Sequence, residues 1–197
     1  MQFWWPLQIF FSFGDRGFLM FLRLIILAAV MSIVLIVVLA CCESVRRTAP
    51  MNFIMLFLFT LVEGFLLGVV SSTYSKESVI LAVSLTALIT FLLTVFSFQT
   101  KFDVTGWGTG LFIILFIFTI VGFIAGFFMP GRTWQLVYGG IGAAIFCLYI
   151  IYDTQLMMGG KHKYALSPEE YVFASLNLYL DIVNLFLLLL SIFGDRN

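Results

Sequence analysis

The chain has 197 residues, of which 62% are hydrophobic and only 10% charged, with 24 phenylalanines, whereas an ordinary soluble domain carries roughly 25% charged residues. This balance excludes the water-soluble enzyme classes and describes an integral membrane protein surrounded by lipid. Ten Lys and Arg offset ten Asp and Glu, and no basic run is long enough to make nucleic acid or an anionic-lipid patch an expected partner.

Residues 3–13, FWWPLQIFFSF, are apolar but too short to span, carry Pro6, and are separated from the first long apolar run by Gly14-Asp15-Arg16-Gly17. Their tryptophans suit the headgroup level of a bilayer. A cleaved signal peptide is not expected, because no positive n-region precedes the stretch and no clean small-x-small site comes after it. Residues 1–19 therefore read as an atypical N-terminal segment ahead of a membrane bundle over 20–197.

A bilayer core about 30 Å thick needs ~20 apolar residues per helix, and lipid obliges the backbone to satisfy its own hydrogen bonds. Six runs qualify: 20–42, 51–71, 78–98, 106–129, 134–156 and 170–193. The expected fold is all-α, one bundle of six full spans. The connections are short and punctuated, as in ESVRRTAP, STYSKE, QTKFDVTG and PGRT; the longest is GGKHKYALSPEE. Within it, Ser167, Pro168 and Glu170 form a capping-box pattern that predicts a firm start for the last helix.

Counting Lys and Arg on alternate faces gives five against five, and setting aside the N-terminal Arg16 and Arg23 leaves five against three. That places ESVRR, QTKFD and GGKHK on the cytosolic side. Small residues predict close helix contacts at Gly64/Gly68, at Gly122/Gly126 and in the Gly139-to-Ala144 cluster. Cys41, Cys42 and Cys147 have neither zinc spacing nor a disulfide framework, and His162 in KHK reads as a solvated loop residue.

A charge in the middle of a membrane helix costs about 2.5–3.5 kcal/mol on insertion scales, so each one retained is a functional candidate. Glu63 in TLVEGFLLG has no obvious partner. Asp153 comes directly after the oily run GAAIFCLYII and its tyrosine, and lying near a helix end it also admits a simply solvated reading. In the last helix Asn177, Asp181 and Asn184 fall on one stripe that Glu170 and Ser191 extend. Asparagines alone would make a hydrogen-bonding seam, but a carboxylate there must be protonated, paired or hydrated. If Asp153 and Asp181 meet, they cannot both ionise cheaply, and the pair holds a proton near neutral pH. Counted from the helix ends, they differ in depth by ~7 Å at 1.5 Å per residue.

The segments ACCESVRRTAPMN, TVFSFQTKFDVT, IIYDTQLMMGGK and SPEEYVFASLNLYLDIVNLFLLLL resemble the Lifeguard branch of the transmembrane Bax inhibitor motif family, which includes glutamate-receptor-associated members. The likeness covers residues 36–197. It implies a seven-helix bundle of endoplasmic reticulum or Golgi, with the plasma membrane as a further location, that suppresses apoptosis and moderates stored calcium. It also implies a pH-sensitive calcium leak, with Asp153 and Asp181 as the proton-sharing pair at the cytosolic end of a pore. An arginine of an earlier helix latches that pair in the family pattern, and Arg46 or Arg47 matches it here. Glu63, Asn177 and Asn184 are supporting polar groups. No resident cofactor or firm metal site is expected: Ca²⁺ is the permeant ion, transiently near the two acids, and H⁺ the regulator. Against the pattern of seven, six spans are expected, with the N-terminal helix truncated or replaced by MQFWWPLQIFFSFGDRGF.

Two other functions compete with the leak. One is a non-transporting adaptor that binds death-receptor or Bcl-2-type proteins. The other, more remote, is an intramembrane aspartyl protease using Asp153 and Asp181, although Asp181 sits in Leu-Tyr-Leu-Asp and lacks the Gly-x-Gly-Asp setting of such enzymes. The expectation is a protein that is not an enzyme.

Overall fold

The computed structural model describes residues 5–128, 131–159 and 170–195, with side chains from residue 19 onward. Among these residues there are seven α-helices, one 3-10 turn and no β-strand. In chain order they are α1 (Trp5–Cys41), α2 (Glu43–Arg47), α3 (Met51–Ser71), α4 (Lys76–Gln99), the 3-10 turn Thr105–Trp107, α5 (Gly108–Phe128), α6 (Arg132–Met158) and α7 (Tyr171–Phe193). Six stretches among the described residues are long and apolar enough to cross a bilayer: Leu19–Cys41, Met51–Ser71, Lys76–Gln99, Thr105–Phe128, Arg132–Met158 and Tyr171–Phe193. The all-α membrane architecture read from the sequence is the one observed.

The N-terminal region differs from expectation. Helix α1 runs unbroken from Trp5 through Gly14-Asp15-Arg16-Gly17 to Cys41, so the short apolar stretch is not set apart from the first span by a break in the helix. Pro6 lies in the first turn, where its missing N–H breaks no bond. The two glycines weaken a helix by only about 1 kcal/mol each, which a 37-residue helix absorbs. At the other end of the chain, α7 starts at Tyr171 with Glu170 in the cap position, and Glu170 makes no side-chain cap hydrogen bond. Ser167, Pro168 and His162 lie outside the described residues.

The chain forms two compact units where the sequence suggests one bundle: Met1–Ser75 with Asp195–Asn197, and Lys76–Gly194. In the first, α1 packs on α3 and the short α2 joins them. Ser32 of α1 donates a hydrogen bond to Glu63 Oε1 of α3, which gives that membrane carboxyl the partner its sequence context did not reveal. Apolar attraction between helices is weak in lipid, so this polar contact carries a larger share of the specificity of the α1–α3 pair than it would in water.

The second unit is built on α6 and α7, whose contact is the most extensive in the molecule, with α4 and α5 packed around them. Phe146 and Ile150 of α6 meet Leu185 and Leu189 of α7, and Leu85, Ile89 and Leu93 of α4 close over them. Cys147 also packs there, and all three cysteines are free. Hydroxyls inside the spans bond back along their own helices, as Thr86 does to Ala82 O at 2.7 Å and Ser97 to Leu93 O at 2.8 Å. This lets polar side chains occupy membrane helices without partners elsewhere.

The small residues divide by role. A Cβ added at Gly139 would stand 2.7 Å from Ile192 Cγ1, and one at Gly142 2.5 Å from the ring of Phe118 and 3.0 Å from Leu188. Gly122 lies against the Tyr138 hydroxyl, and the Tyr138 ring stacks on Phe118 with centroids 4.1 Å apart. Gly64, Gly68, Gly126 and Gly140 face nothing within 4 Å among the described residues, so the expected intrachain contacts at Gly64/Gly68 and Gly126 are not made there. Gly142→Val should therefore destabilise the α5–α6–α7 contact by about 1–3 kcal/mol. Gly140→Ala should change stability by no more than about 0.5 kcal/mol. Thermal unfolding in detergent micelles checks the contrast.

Candidate functional site

Along α6 the residues that face α7 recur at helical spacing: Gly139, Gly142, Phe146, Ile150 and then Asp153. The stripe explains why a carboxylate comes after so apolar a run, since Asp153 occupies the next core position on the buried face. On α7 the answering stripe is Ile192, Leu188, Leu185 and Asp181. The two helices run antiparallel, with Gly139 against Ser191 and Ile192 and Gly142 against Leu188. Phe146 and Ile150 continue the seam against Leu185 and Leu189, and beyond them Asp153 comes near Asp181.

The two carboxyl groups lie close enough to interact, and each residue is 5% exposed. The depth difference inferred from the helix ends has a simple resolution. With Asp153 opposite Asp181, Met158 stands level with about Leu176. Helix α7 therefore extends beyond α6 by about five residues, or roughly 7 Å. Asp153 is buried, which removes the reading of a solvated helix end.

The surroundings are aromatic and sparing of donors. Tyr149 lies close enough to feel both carboxyls, and its ring meets that of Tyr152 edge-on with centroids 6.3 Å apart. Among the described residues Asp181 Oδ2 has no hydrogen-bond partner, and the buried Thr154 hydroxyl has none either. A carboxylate pair supplied with so few donors is stabilised chiefly by a shared proton, by water or by a cation. Among the described residues no three His, Cys, Asp or Glu side chains are grouped to hold a metal ion.

The other sequence candidates are distributed. Arg46 and Arg47 lie on α2 in the first unit, where Arg46 donates to Ala40 O and Arg47 pairs with Glu43. Glu63 lies between α3 and α1. Asn177 is half-buried one turn from Asp181, while Asn184 donates to Leu180 O of its own helix at 2.8 Å and is not committed to a seam between helices.

Two features escape a reading of the sequence. Gln155 is fully buried, and its carboxamide bonds to the α4–α5 connection at Phe102 and Val104. The available signal is a glutamine within YDTQ, an uncharged polar residue two places from a candidate acid. At the opposite end of the pair, Arg132 donates to Ser191 O at 3.2 Å and Ile192 O at 2.7 Å, and Gln135 to Ser191 O at 3.0 Å. These side chains at the start of α6 satisfy the last carbonyls of α7, where a cation also complements the helix dipole. A Lys/Arg count by loop does not reveal this use.

A family model described as inhibitor of apoptosis-promoting Bax1 matches residues 4–197, so the match extends through the N-terminal stretch. Protein lifeguard 3 of Homo sapiens is 41% identical over 169 residues, which is 84% of this chain and 54% of that protein. Protein lifeguard 3 of Mus musculus is 41% identical over 81% of the chain and 52% of that protein. Protein lifeguard 4 of Mus musculus is 43% identical over 74% of the chain and 59% of that protein. The chain thus spans about half the length of these curated relatives. With the match running almost from end to end of a helical membrane protein, this chain belongs to the inhibitor of apoptosis-promoting Bax1 family.

Proposed function

We propose that this protein moderates intracellular calcium stores and suppresses apoptosis through a pH-sensitive Ca²⁺ leak, from the endoplasmic reticulum or Golgi membrane. The observation that carries the reading is the meeting of Asp153 and Asp181 inside the α6–α7 contact. With one proton between them the pair bears a single delocalised charge; with two protons it bears none. Losing the proton leaves two carboxylates facing each other in a poor solvent for charge, and a cation then relieves their repulsion. Hard oxygen ligands suit Ca²⁺. Acid therefore favours the closed state, and rising pH favours cation entry.

Family membership supports the anti-apoptotic part, and the geometry of the acids supports the ionic part. The adaptor reading separates them: binding to Bcl-2-type or death-receptor proteins would need neither acid. Paired aspartates also suit an intramembrane aspartyl protease, for which a transition-state-mimicking probe should label the protein only when both acids are present.

Purified protein in calcium-dye liposomes should pass more Ca²⁺ as the pH rises, and Asp181→Asn should reduce the flux by about tenfold or more. Flux indifferent to both pH and this substitution refutes the leak. Survival activity retained by Asp153→Asn/Asp181→Asn in cells favours the adaptor. Because an apolar replacement removes both desolvation costs, Asp153→Leu/Asp181→Leu should unfold in detergent at no lower temperature than the wild type, while truncating one acid alone costs about 1–3 kcal/mol. A large loss in the double Leu variant would make the pair a structural requirement.

A further inference from the structure

One turn of α6, Tyr152 to Gln155, holds more than the acid pair. Gln155 Nε2 donates to Phe102 O at 2.9 Å and Gln155 Oε1 accepts from Val104 N–H at 2.9 Å, so a single carboxamide pins the backbone between α4 and α5 from both sides. Val104 and Thr105 are buried. Asp103 Oδ1 accepts from the Thr105 N–H at 2.9 Å and the Thr105 hydroxyl at 2.6 Å, folding the segment into a turn that leads directly into α5. On the same turn of α6 the Tyr152 hydroxyl presses against Gly108, where a Cβ would stand 3.1 Å from the ring carbon bearing that hydroxyl. Gln155 lies two residues past Asp153, roughly 3 Å farther along the axis, so the pinned segment lies at a level between the acids and the end of α6.

We propose that the Phe102–Thr105 segment, on the side of α6 turned away from α7 and close to the level of the acid pair, is a gate and that Gln155 is the positioning residue that keeps it shut; the inference rests on the calcium-leak reading above. A neutral carboxamide suits the task. It satisfies a buried N–H and a buried C=O that would otherwise be costly to leave unpaired, yet it adds no charge to a site already occupied by two acids. When the segment swings away, water can take over both backbone groups, so opening leaves nothing unsatisfied.

Two substitutions break the clip from opposite sides. Gln155→Met keeps the length of the side chain and removes both hydrogen bonds. Val104→Pro removes the donated N–H from the loop side, at a φ of −93° that a proline approaches without a change of backbone region. In full-length protein reconstituted in liposomes, with Ca²⁺ as the ion, either variant should raise flux at least about fivefold at the higher pH where the acid pair has lost its proton. Adding Asp181→Asn should abolish that gain, which a leak through a merely disordered bundle would not do. Hydrogen exchange at the Val104 amide should be at least about tenfold faster in Gln155→Met, with the amides of α7 unchanged. Asp181-dependent flux in the wild type that both variants leave unaltered overturns the gate and spares the leak. A gain that survives Asp181→Asn, or unchanged exchange at Val104, also overturns the gate. If neither wild type nor variants pass Ca²⁺, the leak itself falls, and the gate with it.

Discussion

The constraint that organises the second unit is the burial of two acids, Asp153 and Asp181, close together in apolar surroundings. Neither Asp153 nor Asp181 could occupy its place alone without a donor or a counterion, because burial penalises an isolated carboxylate by far more than any one packing contact returns. Each supplies what the other lacks. The arrangement requires α6 and α7 to lie close and in one register, which the glycines at 139 and 142 permit by letting Ile192 and Leu188 sit almost on the α6 backbone. The polar pair and the small residues are thus parts of one solution. The acids need a fixed register, and the glycines bring the backbones near enough for the register to be specific.

The same constraint orders the rest of the unit. Phe146 and Ile150 fill the layer above the acids, α4 closes the side with Leu85, Ile89 and Leu93, and the connection leaving α4 is tied back to α6 by Gln155. Membrane helices gain little from hiding apolar surface, since lipid is as apolar as leucine. Most of the Phe, Leu and Ile side chains accordingly remain exposed, and specificity falls to a few polar contacts: the acid pair and the Gln155 clip in one unit, and Ser32 with Glu63 in the other.

The helices are legible in the sequence because their signal is length: a run of about 20 apolar residues has few other uses. Asp153 and Asp181 are legible for the complementary reason, as charges where charge is expensive. Their meeting is only half legible. A depth count that starts from helix ends assumes that neighbouring helices end together, and α7 extends past α6. Gln155 passes unnoticed because an uncharged amide carries no comparable penalty on insertion, and its partners are backbone groups that leave no mark on composition. Glu63 stands out while Ser32 does not, since one hydroxyl in an apolar helix usually bonds to its own backbone. The unbroken α1 illustrates a further limit. Glycine and proline are weak breakers when a helix is long or when the proline lies in its first turn.

The ties at the start of α6 have a mechanical consequence. Arg132 and Gln135 grip the last carbonyls of α7, and Gly139 sits hard against Ile192 just above them, so one extremity of the antiparallel pair is fastened by several bonds at once. Toward the acids the two helices are held instead by side-chain packing, Phe146 and Ile150 on Leu185 and Leu189, so the pair is anchored unequally along its length.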